Sequence, residues 1–140
     1  MEQEDAGRLM VEYEGLQALV ESTRQNLEVL GASIMELEGV KEALEQLKET
    51  EEGSQVYVPL GGNSFVKARL EETDWVIQGI GAEVAVKRTV DEALASLDER
   101  VKRLEGLKED HTRRMTKAIS RLEELGPALQ ALVHQERQGR

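Results

Sequence analysis

The sequence predicts an α+β chain: a long antiparallel two-helix coiled coil with two central β-hairpins that oligomerise into a larger sheet or a β-barrel platform. Three observations carry this. Charged residues make up 33% of the 140 positions and aromatics only 3%, too few to anchor an ordinary globular core of this size. Apolar residues recur at alternating spacings of three and four along both outer segments. Between them lies a stretch that holds Gly53, Gly61, Gly62, Gly79 and Gly81 together with Tyr57, Phe65 and Trp75. The boundaries expected from these shifts are residues 1–52 for the first helix, 53–88 for the two hairpins and 89–137 for the second helix.

In the first arm, Tyr13, Val20, Leu27 and Ile34 fall on heptad position a, and Leu9, Leu16, Leu30, Leu37 and Leu44 on d. Thr23, Lys41 and Lys48 are the polar exceptions. Past Leu37, Val40 and Leu47 read as better seam residues than Lys41 and Lys48, which implies a short phase slip. The second arm runs Val90, Leu94, Leu97, Val101, Leu104, Met115, Ala118, Leu122, Leu125, Leu129 and Leu132, interrupted by Lys108 and His111. Apolar heptads sustained over more than three or four repeats argue for a coiled coil rather than one amphipathic helix on a globular core.

Charge suggests how the arms pair. Residues 1–53 carry fourteen acidic and four basic side chains, whereas residues 84–140 carry ten acidic and twelve basic ones. Two copies of the first arm repel, so the first arm is expected against the second. A hairpin topology then brings Thr23 within a turn or two of Lys108 and His111, one shared polar layer that sets register or loosens the pairing locally. Gly126-Pro127 is expected to kink or fray the second helix, since Pro lacks the backbone donor, although the apolar spacing continues to Leu132.

The centre begins QVYVPL-GGNS-FVKARL, two β-rich runs around a Gly/Asn/Ser turn. EETD follows, then WVIQ, an expected turn at Gly79-Ile80-Gly81, and EVAVKR. Thr89 with Glu92 three residues on has the form of a capping box that opens the second helix. Apolar residues occupy both faces of these strands, and four short strands cannot bury them alone. Val56, Val58, Leu60, Phe65, Val66, Trp75, Ile77, Val84 and Val86 are therefore the candidate oligomerisation residues.

Several classes of function are disfavoured. With no cysteine there is no disulfide, Cys-based zinc site or thiol catalysis. A formal charge of −10 repels nucleic acid and anionic membrane surfaces. No apolar run reaches the eighteen or so residues of a membrane span, and MEQEDAGR is the opposite of a secretory signal, so a cytoplasmic protein is expected. Neither the glycine turns nor the two histidines complete a phosphate loop, metal site or triad. No catalytic residue, metal ligand or cofactor is assigned.

The order of helical arm, two hairpins and helical arm resembles the prefoldin alpha subunit, of archaeal type. The likeness rests on Val58, Pro59, Leu60, Gly61, Phe65, Val66 and Ala68 in the first hairpin and on WVIQGIGAEVAVKRTVDEAL in the second; it is specific from about Val56 to Leu94. The resemblance implies an ATP-independent chaperone without enzymatic activity. Two alpha and four prefoldin beta subunits would form a hexamer, with hairpins joined in a double β-barrel. Coiled-coil tips would capture unfolded client proteins and deliver them to a group II chaperonin. Because the hairpins are central in the sequence, the tips are where the termini meet. Leu9, Met10, Val11, Leu129, Leu132 and Val133 are accordingly the candidate client-binding residues, although Leu9, Leu129 and Leu132 are equally well explained as the end of the seam. Arg113, Arg114, Lys117 and Arg121 suit either an acidic chaperonin surface or a solvated helix exterior. The competing reading is a structural coiled-coil tether or scaffold whose β-strands mediate oligomerisation.

Overall fold

The computed structural model describes residues 2–139. Its elements run in the order α1 (Glu2–Lys48), β1 (Gln55–Gly61), β2 (Ser64–Arg69), β3 (Trp75–Gly81), β4 (Val84–Thr89) and α2 (Val90–Gln138). Two long helices and two small antiparallel hairpins give the α+β class that the heptads and turn residues predict. The chain divides into two compact units. One comprises the residues up to Ser33 with those from Leu104 onward; the other is Ile34–Arg103.

The central unit, Ile34–Arg103, is organised around Leu44, Val90, Ala93, Leu94 and Leu97, with Leu37, Leu47 and Val76 packed against them. Val76 brings one face of β3 onto the helices. Two ion pairs cross between the helices in antiparallel register. Lys41 reaches Asp98 at 2.5 Å and also Glu38 at 3.5 Å, and Lys48 reaches Asp91. As the α1 partner advances by seven residues, the α2 partner retreats by seven. These links run from first-arm lysines to second-arm aspartates, against the sense of the net charges.

The expected phase slip is seen at Leu47, which packs against the core while Lys48 is exposed, but not at Val40. Val40 is 42% exposed, whereas the Lys41 side chain is only 25% exposed and Leu44 is buried. The heptad therefore continues Leu37–Lys41–Leu44. Lysine is tolerated on the seam because its methylene stem covers apolar surface while the ammonium reaches Asp98.

The helix ends have local causes. The last turn of α1 tightens as the Glu49 and Thr50 amides donate to Gln46 and Leu47 carbonyls, both at 3.1 Å. The Thr50 hydroxyl donates to the Gln46 carbonyl at 2.7 Å. At the start of α2 the Thr89 hydroxyl accepts from the Glu92 amide at 3.1 Å, the N-cap its spacing predicts.

The hairpins are separate two-stranded sheets, β1 with β2 and β3 with β4. They are structural repeats offset by twenty residues: Gln55 pairs with Arg69 as Trp75 pairs with Thr89, and Gly61 with Ser64 as Gly81 with Val84. Each has a bulge just before its turn, at Leu60 in one and Ile80 in the other. The turn residues are Gly62-Asn63 (φ +55°, +61°) and Ala82-Glu83 (φ +48°, +61°). Two consecutive positive φ values are what a tight two-residue hairpin turn with right-handed strand twist requires. The second turn thus lies downstream of the expected Gly79-Ile80-Gly81. Gly81 instead supplies φ +110° at the bulge, a conformation glycine adopts without a Cβ clash.

In the terminal unit, Val20, Thr23, Ala118, Leu125 and Leu129 are buried between the helices. Leu9, Tyr13, Leu16, Met115 and Leu122 are half-buried. Of the polar seam residues, Thr23 is buried, His111 half-buried and Lys108 exposed. Arg121 joins Glu12 across the pair, Nε to Oε1 at 2.7 Å, and also Glu124 at 3.1 Å. Helix α2 continues through Pro127 to Gln138, so Gly126-Pro127 does not end it.

Candidate functional site

Two surfaces are unusually apolar for the outside of a chain this charged. The first lies in the terminal unit, where α1 and α2 come together near their outer ends. Met10 and Tyr13 from α1 face Gly126, Leu129, Gln130, Val133, His134 and Arg137 from α2 around a cavity of about 390 Å³. The α2 contribution follows helical periodicity: Gly126, Gln130, Val133 and Arg137 step by four, three and four, forming one row beside the seam row that contains Leu129. Gly126 lies on this wall with open space beside it, since a Cβ there would meet no atom within 4 Å. The neighbouring cleft, about 500 Å³, is lined by Gln3, Ala6, Leu132, Val133, Gln135, Glu136, Arg137 and Gly139.

The six tip candidates separate. Met10, Leu129 and Val133 share the first cavity, and Leu132 joins Val133 at the second. Leu129 is buried, Leu9 and Leu132 are half-buried, and Met10 and Val133 are exposed. Val11, 71% exposed, lines neither cavity, and nor does Leu9. Reading only apolar spacings missed Tyr13, Gln130, His134 and Arg137 as cavity residues; their helical step was the available signal. Beside this cavity, the Arg121 guanidinium holds the Glu12 carboxyl below its ordinary range through their hydrogen bonds. Glu12 and Glu124 raise the pKa of Arg121 in turn.

The second surface is formed by the hairpins. On β1 and β2, alternate residues share a face: Tyr57, Pro59 and Phe65 on one, Val56, Val58, Val66 and Ala68 on the other. Tyr57, Val58, Leu60, Phe65 and Val66 are all exposed, and Val56 is half-buried. On β3 and β4 the two faces differ. Val76 points to the helices, and beside it Gln78 accepts from Arg88 at 3.0 Å. The opposite face carries Trp75, Ile77, Ala85 and Lys87. The Lys87 ammonium sits 4.1 Å from the Trp75 ring centroid, a cation–π contact, and the indole N–H donates to Glu72. Ile77 and Val84 are exposed; Trp75 and Val86 are half-buried. Tyr57 and Ile80, exposed and apolar, belong with this surface although neither was among the nine candidates.

Each hairpin also has its outer strand edges unpaired among the described residues. A single two-stranded hairpin is marginal in water, and open edges offer backbone donors and acceptors to another strand. No group of three or more His, Cys, Asp or Glu suited to a metal occurs among the described residues. No described helix is long and apolar enough to cross a membrane.

The family model for prefoldin subunits matches residues 16–135. The chain belongs to the prefoldin family. Its relatives include the prefoldin subunit alpha of Methanopyrus kandleri, 43% identical over 103 residues, covering 74% of this chain and 66% of the relative. The prefoldin subunit alpha of Pyrococcus horikoshii is 38% identical over 96 residues, covering 68% of this chain and 65% of the relative. The matched stretch thus spans about two thirds of each relative's own length. In fold, the chain is similar to filamentous PFD from Methanocaldococcus jannaschii, solved by cryo-electron microscopy. The TM-score is 0.73 at 24% identity, covering 81% of this chain and 94% of that one. It is also similar to the prefoldin beta subunit from Thermococcus strain KS-1, with a TM-score of 0.58 at 20% identity, covering 91% and 90%. The expectation of a prefoldin alpha-type chain is met by family and relatives alike.

Proposed function

We propose that this chain is the alpha-type subunit of an ATP-independent holdase chaperone. Two copies join four beta subunits through their hairpins, and the assembly works in the cytoplasm. The helix ends capture unfolded proteins and pass them to a group II chaperonin. The observation that carries this reading is the placement of apolar surface. Ordinary soluble chains expose large apolar side chains singly, whereas Tyr57, Val58, Leu60, Phe65 and Val66 lie together on one exposed hairpin.

The two surfaces suit different partners. Strand edges and alternating side chains fit another strand of defined sequence, because backbone pairing supplies affinity and side-chain pockets supply specificity. The cavity at Met10 and Val133 lies on two helices joined mainly by side chains, with a flexible thioether at its mouth. Such a surface adapts to many sequences. An unfolded chain offers many apolar side chains of different shapes, and the cavity can take them one at a time.

The test is to change Met10, Val11 and Val133 together to Ser in the assembled complex. Light scattering from a chemically unfolded client after dilution should then rise toward the level without chaperone. The mass of the complex should not change. Full protection by the triple variant would refute the assignment of capture to the helix ends.

A further inference from the structure

The cavity between Tyr13 and Gly126 has a shape and charge that narrow what it holds. Its volume, about 390 Å³, lies within the roughly 300–1,000 Å³ of pockets that bind small organic groups. An enclosed apolar void of about 150 Å³ is enough for benzene, so a phenyl ring with its flanking backbone fits. The walls are a thioether, a phenol ring, Leu129 and Val133, with Gly126 on the wall leaving open space beside it. Sulfur and ring edges are favourable partners for an aromatic group.

The rim is unlike the rest of the chain. The protein carries a net charge of −10, yet the polar residues among the lining are one arginine, one histidine, one glutamine and one tyrosine, with no carboxylate. Arg137 stands at the mouth one helical turn beyond Val133, where a guanidinium can take a carboxylate in two parallel hydrogen bonds. The nearby Arg121 is already committed to Glu12 and Glu124.

We propose that this cavity is a binding site for an aromatic client side chain followed directly by an acidic residue. The inference rests on the holdase reading and gives its capture site a substrate class. The ring enters between Tyr13 and Leu129, and the neighbouring carboxylate meets Arg137. Clients are thereby ranked by local sequence rather than by apolar content alone.

The experiment uses the assembled complex and three fluorescein-labelled peptides of otherwise Gly-Ser sequence, bearing Phe-Asp, Phe-Lys or Ala-Asp at the centre. Fluorescence anisotropy should show Phe-Asp binding about threefold or more tighter than Phe-Lys, the scale of an exposed charge pair. It should bind about tenfold or more tighter than Ala-Asp, the scale of burying an aromatic ring. Gly126→Leu sends a side chain into the cavity and should abolish the preference for Phe. Because a Cβ ahead of Pro127 crowds the proline ring in the helix, helical circular dichroism and the mass of the variant complex, both expected unchanged, separate loss of binding from loss of folding. Arg137→Glu should invert the order of Phe-Asp and Phe-Lys, and Met35→Ser, on an exposed α1 position in the central unit, should change neither. Equal affinity for Phe-Asp and Phe-Lys, or undiminished Phe-Asp binding by Gly126→Leu, overturns the proposal. If the unaltered complex neither binds the peptides nor protects an unfolded client, the holdase reading falls with it.

Discussion

Leucines 97 and 107 lie on the same helix, yet one is 2% and the other 49% exposed. Truncating each to Ala therefore measures what the seam contributes. Leu97→Ala removes three carbons from apolar surroundings, worth about 2.4 kcal/mol in transfer free energy. The space left beside Leu44, Val90, Ala93 and Leu94 adds a cavity penalty on the order of 1 kcal/mol. The expected loss is about 3 kcal/mol, a large share of the roughly 5–15 kcal/mol that holds an ordinary domain folded. Leu107→Ala, at a surface position, should cost about 0.5 kcal/mol or less. Urea unfolding of the full chain, followed by helical circular dichroism at one fixed protomer concentration, reads both. The m-value should be unchanged in either variant. Equal costs for the two leucines would refute the seam assignment.

The second hairpin carries non-glycine residues at both positive-φ turn positions. Changing Ala82 to Asn and Glu83 to Gly should stabilise the chain by about 0.5–1 kcal/mol, seen as a higher thermal midpoint. Gly81→Val places a branched residue at φ +110° and should cost about 1–3 kcal/mol in the same assay. Because Arg121 lowers the pKa of Glu12, that ion pair contributes stability that is fully present above the ordinary carboxylate value of 4.5 and is lost as pH falls through the lowered one. The stability difference between the native chain and Glu12→Gln should accordingly vanish in acid, as urea titrations at neutral and low pH would show. Changing Val58 and Phe65 together to Ser should abolish assembly, read by size-exclusion chromatography, while leaving helical circular dichroism intact.

The heptads made the helices legible because apolar spacing reports directly which stripe is shielded from water. Where hydrophobicity alone ranked Val40 above Lys41, the ranking failed. A lysine stem can cover a seam while its charge reaches Asp98, and single-position hydropathy does not register that. The turn at Ala82-Glu83 was hidden by Gly79 and Gly81, which look like turn residues, although Gly81 serves the bulge. A twenty-residue repeat relating Leu60, Gly61, Val66 and Lys67 to Ile80, Gly81, Val86 and Lys87 would have located it.

The candidate cavity was only partly legible. Met10, Leu129 and Val133 stood out as apolar residues near helix ends. Gly126 reads in the sequence only as a helix breaker, and its place on a wall shared with Tyr13 follows from the pairing of the two helices. Such cross-helix relations follow from register, which a polar residue on the seam blurs.

Native mass spectrometry of the chain combined with a beta-type subunit tests the central claim most directly, that exposed hairpins are completed by other chains. The account predicts one dominant hexamer with two copies of this chain and four of its partner. A monomer, or a dimer of this chain alone with the partner left free, would contradict it.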